Sequence, residues 1–154
     1  MPRKQRIDST AAQVEAMRAG AQPIHPPNHV PLSECDMIFF ANVIEEFARS
    51  EWTAHQLELA ASLARMMADL NREQQTLRVE GFISVRENGT TVENPRARVV
   101  KSITGDILSM RRSLALHARA RSGGDSRNVA GRNAKAKEIE GANPLGDDLL
   151  ARPN

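Results

Sequence analysis

Aromatic residues are scarce: the 154-residue chain has no tyrosine, one tryptophan and four phenylalanines, 3% in all. Burial therefore falls to Leu, Ile, Val, Met and Ala, which suits helix-on-helix packing and argues against an all-β sandwich. With Cys35 as the single cysteine, an intrachain disulfide framework is excluded. No run approaches the roughly 18 apolar residues that span a bilayer, and the opening "MPRKQRIDST" lacks the apolar centre of a secretory signal. The expectation is a soluble cytoplasmic protein with one modest core and no membrane partner. A P-loop, a G-x-S-x-G elbow and carboxylates at metal-ligand spacing are all missing. No catalytic residue, no enzymatic activity of its own, no cofactor and no metal are expected. His25 and His29, with Cys35 beyond, lack a fourth ligand, and the prolines around them prevent helical presentation.

What is present is an uneven distribution of charge. The net charge is only +2, yet residues 31–93 carry five positive and eleven negative groups, and residues 94–122 carry seven and one. An acidic stretch followed by a basic one predicts mutual attraction, within a chain or between chains; two solvated faces that never meet are the alternative.

Local signals divide the chain into four parts. Residues 1–31 are a basic arm, a short helix capped by Ser9 or Thr10 and ending at Gly20, and an extended linker with prolines at 23, 26, 27 and 31. In residues 32–60 a helix starts at Ser33, with Asp36 as the answering member of its capping box, and runs to about Arg49. Its Phe39, Phe40, Val43, Ile44 and Phe47 recur at helical spacing and read as core. After a turn of about three or four residues, Thr53 and Gln56 form a second capping box and open a 27-residue helix to Gly81. Within the core segment 54–122, residues 82–93 change to period two. Asn88-Gly89 there predicts a type I′ β-hairpin with Val85 opposite Val92 and Ile83 on the same face. Asn94-Pro95 then caps a second long helix, expected to reach Arg121.

Two helices of equal length joined by a hairpin fold back as an antiparallel pair. Leu59, Leu63, Met66, Leu70 and Leu77 form one apolar seam; Val100, Ile103, Ile107, Met110, Leu114 and His117 form the other. Leu57, Ala60, Ala61, Ala64, Met67, Val99, Leu108 and Leu116 lie off these seams. Two helices cannot hide so wide an apolar face, so self-association is expected, with Leu59, Leu63, Met66, Leu70, Val100, Ile103, Ile107, Met110 and Leu114 as its candidate residues. Residues 123–154, rich in Gly, Asn and charge, read as a disordered tail. Its Leu145, Leu149 and Leu150 form a short apolar cluster suited to a partner groove. Arg127, Arg132, Lys135 and Lys137 form a basic stripe, either solvated or touching nucleic acid.

The corner "ARSEWTAHQ" admits two readings, a plain helical corner or a helix-turn-helix DNA reader. In the second, Thr53, His55 and Gln56 at the start of the later helix meet base edges, while Arg49 and the helix N-terminus hold phosphate. Arg3, Lys4, Arg6 and Arg18 add sequence-independent phosphate contacts. Trp52 is assigned to packing. Against the reading stand Glu45 and Glu46, which must face away from DNA, and the absence of the glycine common in such turns.

The order of these elements over residues 27–121 resembles the small terminase subunit of tailed bacteriophages. The likeness rests on "PPNHVPLSECDMIFFANVIEEF", "SEWTAHQLELAA", "GFISVRENGTTVENP" and "SITGDILSMRRSLAL", above all on Trp52, Thr53, Leu57 and Ala60 and on the Asn94-Pro95 helix start. "LALHARARSGG" departs from the family in lacking its proline. The resemblance implies a non-catalytic ring homo-oligomer in the host cytoplasm that binds double-stranded viral DNA. It also implies regulation of the large ATPase–nuclease subunit through the C-terminal region. The alternatives are a helix-turn-helix transcription regulator and a helical scaffold that binds no DNA.

Overall fold

A computed structural model describes residues 7–116 and 124–142. Its helices begin where short polar side chains satisfy orphan N–H groups. Ser9 accepts from the Ala12 N–H ahead of α1 (Thr10–Gly20), and Ser33 with Asp36 closes a capping box on α2 (Glu34–Ile44). Thr53 with Gln56 does the same for α3 (Ala54–Glu80), and Asn94 caps α4 (Pro95–Ser113), whose first residue is proline. Between α3 and α4 lies a hairpin of β1 (Ile83–Val85) and β2 (Thr91–Glu93); α5 (Gly124–Gly141) follows.

The core is built by three helices. Phe40 and Val43 of α2 pack on Ala60, Ala61 and Ala64 of α3, small residues that let the helices approach closely. Leu63 of α3 and Ile107 and Leu114 of α4 complete the cluster. The proline-rich linker lies over it through half-buried Ile24, Val30 and Leu32. The mainly α architecture and its antiparallel hairpin agree with expectation.

Five details do not. First, α2 ends at Ile44 rather than Arg49. The Trp52 indole N–H donates to the Ile44 carbonyl at 3.1 Å, and Phe47 turns out of the helix to meet the Trp52 ring edge-on at 5.4 Å. Second, the corner is accordingly not three or four residues but all of 45–53, including a 3-10 turn at Arg49–Glu51.

Third, α4 has 19 residues against 27 in α3, about 28 and 40 Å long. It stops in a Schellman cap: the Leu116 N–H reaches the Arg111 carbonyl at 2.8 Å and the Ala115 N–H reaches Arg112 at 3.0 Å. This turn returns Leu116 to the core. The remainder of the expected helix, His117 included, lies outside the described residues.

Fourth, the hairpin register is shifted by one: Val85 faces Thr91, and Val92 faces Ser84. The loop has three residues, 87–89, closed by Gly89 N–H to the Arg86 carbonyl at 2.8 Å. Only Gly89 takes a positive φ there, 79°, so this is a type I turn with a left-handed glycine rather than type I′.

Fifth, the tail expected from Gly123 is helical over Gly124–Gly141 and packs on α1 and the 3-10 turn. Ala12, Ala16 and Ala136 are buried on these elements. Small side chains and polar contacts hold this helix, which is why a count of bulky apolar residues overlooks it.

Candidate nucleic-acid interface

The start of α3 presents the residues singled out for base contact in unequal ways. Thr53 and His55 are exposed, His55 with 78% of its side chain accessible and 3.5 Å from Glu58. His29 of the linker lies 3.3 Å from the same carboxylate. Gln56 is half-buried, and its Oε1 accepts from both the Thr53 N–H and the Thr53 hydroxyl at 3.0 Å. That oxygen is committed to the capping box, so a bidentate hold on adenine requires the box to open.

Arg49 is exposed and folds along the surface. Its Nη1 donates to the carbonyls of Gly20 and Gln22, each at 2.8 Å, stitching the end of α1 and the linker to the corner. Its Nη1 is thereby engaged with backbone carbonyls. Arg18 is exposed on α1. Arg3, Lys4 and Arg6, like Leu145, Leu149 and Leu150 of the tail, lie outside the described residues.

Many of the side chains that hold the corner come from α5, within the segment whose composition predicts a disordered tail. Asn133 Oδ1 accepts from the Ala48 N–H at 2.6 Å while its Nδ2 donates to the Glu46 carbonyl at 3.1 Å. The Glu140 carboxylate accepts from the Arg49 and Ser50 N–H groups, both at 3.0 Å. Arg132 pairs with Glu51 at 2.7 Å, and Lys137 donates to the Glu45 carbonyl. The Ser50 hydroxyl is buried with no hydrogen-bond partner among the described residues. Asn133, Ala136 and Glu140 recur at steps of three and four, the one periodic signal that could have revealed this face.

The acidic-to-basic switch in the chain does bring opposite charges together, at the root of the hairpin. Arg96 at the start of α4 grips Glu80 through two bonds of 2.9 and 3.0 Å and also pairs with Glu73. Asn94 donates to Glu80 and to the Gly81 carbonyl at 3.0 Å. The Arg96 bonds, then that from Asn94, hold the Glu80 carboxyl below its ordinary value; the bonds to Glu80 and then Glu73 raise Arg96.

The candidate oligomerisation seams are used mostly inside the protomer. Leu63, Ile107 and Leu114 are buried, while Leu59, Met66, Leu70, Ile103 and Met110 pack around them and Val100 is half-buried. The apolar surface left exposed is elsewhere and includes Met37 and Ile38 on α2, Val79 on α3, Phe82, Ile83 and Val85 at the hairpin, and Val99 and Leu108 on α4. Beside Leu108 a groove of about 330 Å³ runs between α3 and α4, floored by Phe39, Met67, Leu70 and Ile107.

Among the described residues no group of three His, Cys, Asp or Glu could hold a metal ion, and no helix is long and apolar enough to cross a membrane. No curated protein matches the chain. The Hendrixvirinae small terminase family matches residues 1–154, and to this family of viral genome-packaging subunits the chain belongs.

Proposed function

We propose that this small terminase subunit assembles into a ring, binds viral DNA through the exposed start of α3, and regulates the large ATPase–nuclease subunit through its C-terminal residues. It supplies no catalytic group in this reading. Family membership over the whole chain carries the proposal. The capped start of α3 supports the DNA contact, because exposed Thr53 and His55 stand beside a helix N-terminus that favours phosphate. Leu108, Val99 and the groove between α3 and α4 support self-association, since they form apolar surface that one protomer leaves in water. The seam residues then serve the ring indirectly, by making the hairpin rigid.

The test uses the full chain. Thr53→Ala combined with His55→Ala is expected to lower affinity for viral DNA by roughly tenfold, the worth of one good base contact. Light scattering of the same variant should show the assembly intact. Unchanged affinity would move the site to the N-terminal arm or to α5, and a monomer or dimer in the wild type at micromolar concentration would overturn the ring.

A further inference from the structure

We infer that the DNA-facing unit is composite: α5 belongs to it, with Asn133 and Glu140 acting as positioning residues for the corner that presents the start of α3. This rests on the proposed DNA contact at the start of α3.

The 3-10 turn at Arg49–Glu51 has no side-chain cap of its own. The N–H groups of Ala48, Arg49 and Ser50 would therefore be orphans, as at any helix start. All three are satisfied from the far end of the chain, by one oxygen of Asn133 and both oxygens of Glu140. Asn133 also holds the Glu46 carbonyl, so its amide bridges the two sides of the bend. These bonds fix residues 46–50, and the chain passes from there through Trp52 into Thr53. The α2–α3 packing sets the crossing of the two helices, and α5 braces the bend between them, from which Thr53 is presented.

Charge points the same way. Glu45, Glu46 and Glu51 crowd the corner and would repel a phosphate backbone. Arg132 neutralises Glu51, both side chains being largely buried, and Lys137 sits over the Glu45 carbonyl. A third, independent observation is steric. A Cβ on Gly20 would lie 3.1 Å from Cβ and Cγ of Glu140, so glycine at the end of α1 permits the approach that brings Glu140 to the corner.

The experiment measures binding of the full-length protein to a viral DNA fragment and to unrelated DNA of equal length, by fluorescence anisotropy. Absence of binding by the wild type would remove the DNA reading itself. Given binding, Asn133→Ala with Glu140→Ala should reduce preference for viral over unrelated DNA by about tenfold, the scale of one base contact. Light scattering should remain that of the wild type. Glu140→Gln, which keeps one acceptor, should fall between, and Gly20→Leu, which changes no residue of α5 or the corner, should reproduce the loss by crowding Glu140. Undiminished preference would overturn the inference, as would an equal loss on both DNAs. Tighter binding would also overturn it, making α5 a cover. If the double variant loses its assembly, Glu140→Gln and Gly20→Leu decide by the same criteria.

Discussion

Ala115 adopts a φ of 55°, a left-handed conformation that costs an L-residue roughly 1–2 kcal/mol and that glycine takes without strain. It occupies the position after the α4 cap where a glycine ordinarily signals the end of a helix. Because alanine is the strongest helix former, "SLALHARA" reads as continuing helix, and the stop was invisible. Leu114, buried, and Leu116, packed on the core, decide it, since an uninterrupted helix would carry Leu116 past the cluster it now covers. Ala115→Gly is expected to raise stability by about 1 kcal/mol, measured as a higher thermal midpoint with unchanged helix content. The starting caps were readable at the same scale. Ser33, Thr53 and Asn94 act on N–H groups two or three residues away, and so short a reach leaves tertiary structure little to alter.

The hairpin, as an element, is anchored at its root rather than at its strands. Three-residue strands with Ile83 and Val85 exposed contribute little burial. Asn94, 8% exposed, instead joins Glu80, Gly81 and the Arg96 N–H, while Arg96 closes on Glu80 and Glu73. Glu80 titrates below its ordinary value in the folded protein, so its ionised form is favoured by folding. The contribution is complete above the ordinary glutamate range, about 4.3, and is lost as pH falls through the folded value. The thermal midpoint of the wild type should therefore exceed that of Glu80→Gln at pH 7, with the gap narrowing below about pH 4.3. A gap independent of pH would detach Glu80 from the lock. A hairpin was legible from Asn88-Gly89, but its register was not, because the same dipeptide serves two-residue and three-residue loops and neither strand is buried enough to choose.

For the whole molecule, the question is which apolar faces are spent within the protomer. The nine candidates for self-association come from two seams, yet α2, α3 and α4 share one buried cluster in which Leu63, Ile107 and Leu114 of those seams are already spent. Leu108, 50% exposed at the rim of the groove, is left over. Leu108→Glu should leave helix content and thermal unfolding of the protomer near the wild type while shifting the light-scattering mass downward. An unchanged mass would place the interface away from Leu108, on another exposed apolar face such as the hairpin, Val99 or Ile38 of α2. The sequence by itself determined the helical class, the capped starts of α1 to α4 and the existence of the hairpin. Those features depend on contacts a few residues apart or on the spacing of apolar side chains along one helix. Only the tertiary structure decided where α2 and α4 stop, which apolar faces are spent, and that α5 completes the corner. The α5 contacts join groups 85 or more residues apart, and the helix stops depend on side chains packed in three dimensions, Trp52 on the end of α2 and Leu116 on the core, which override helix propensity.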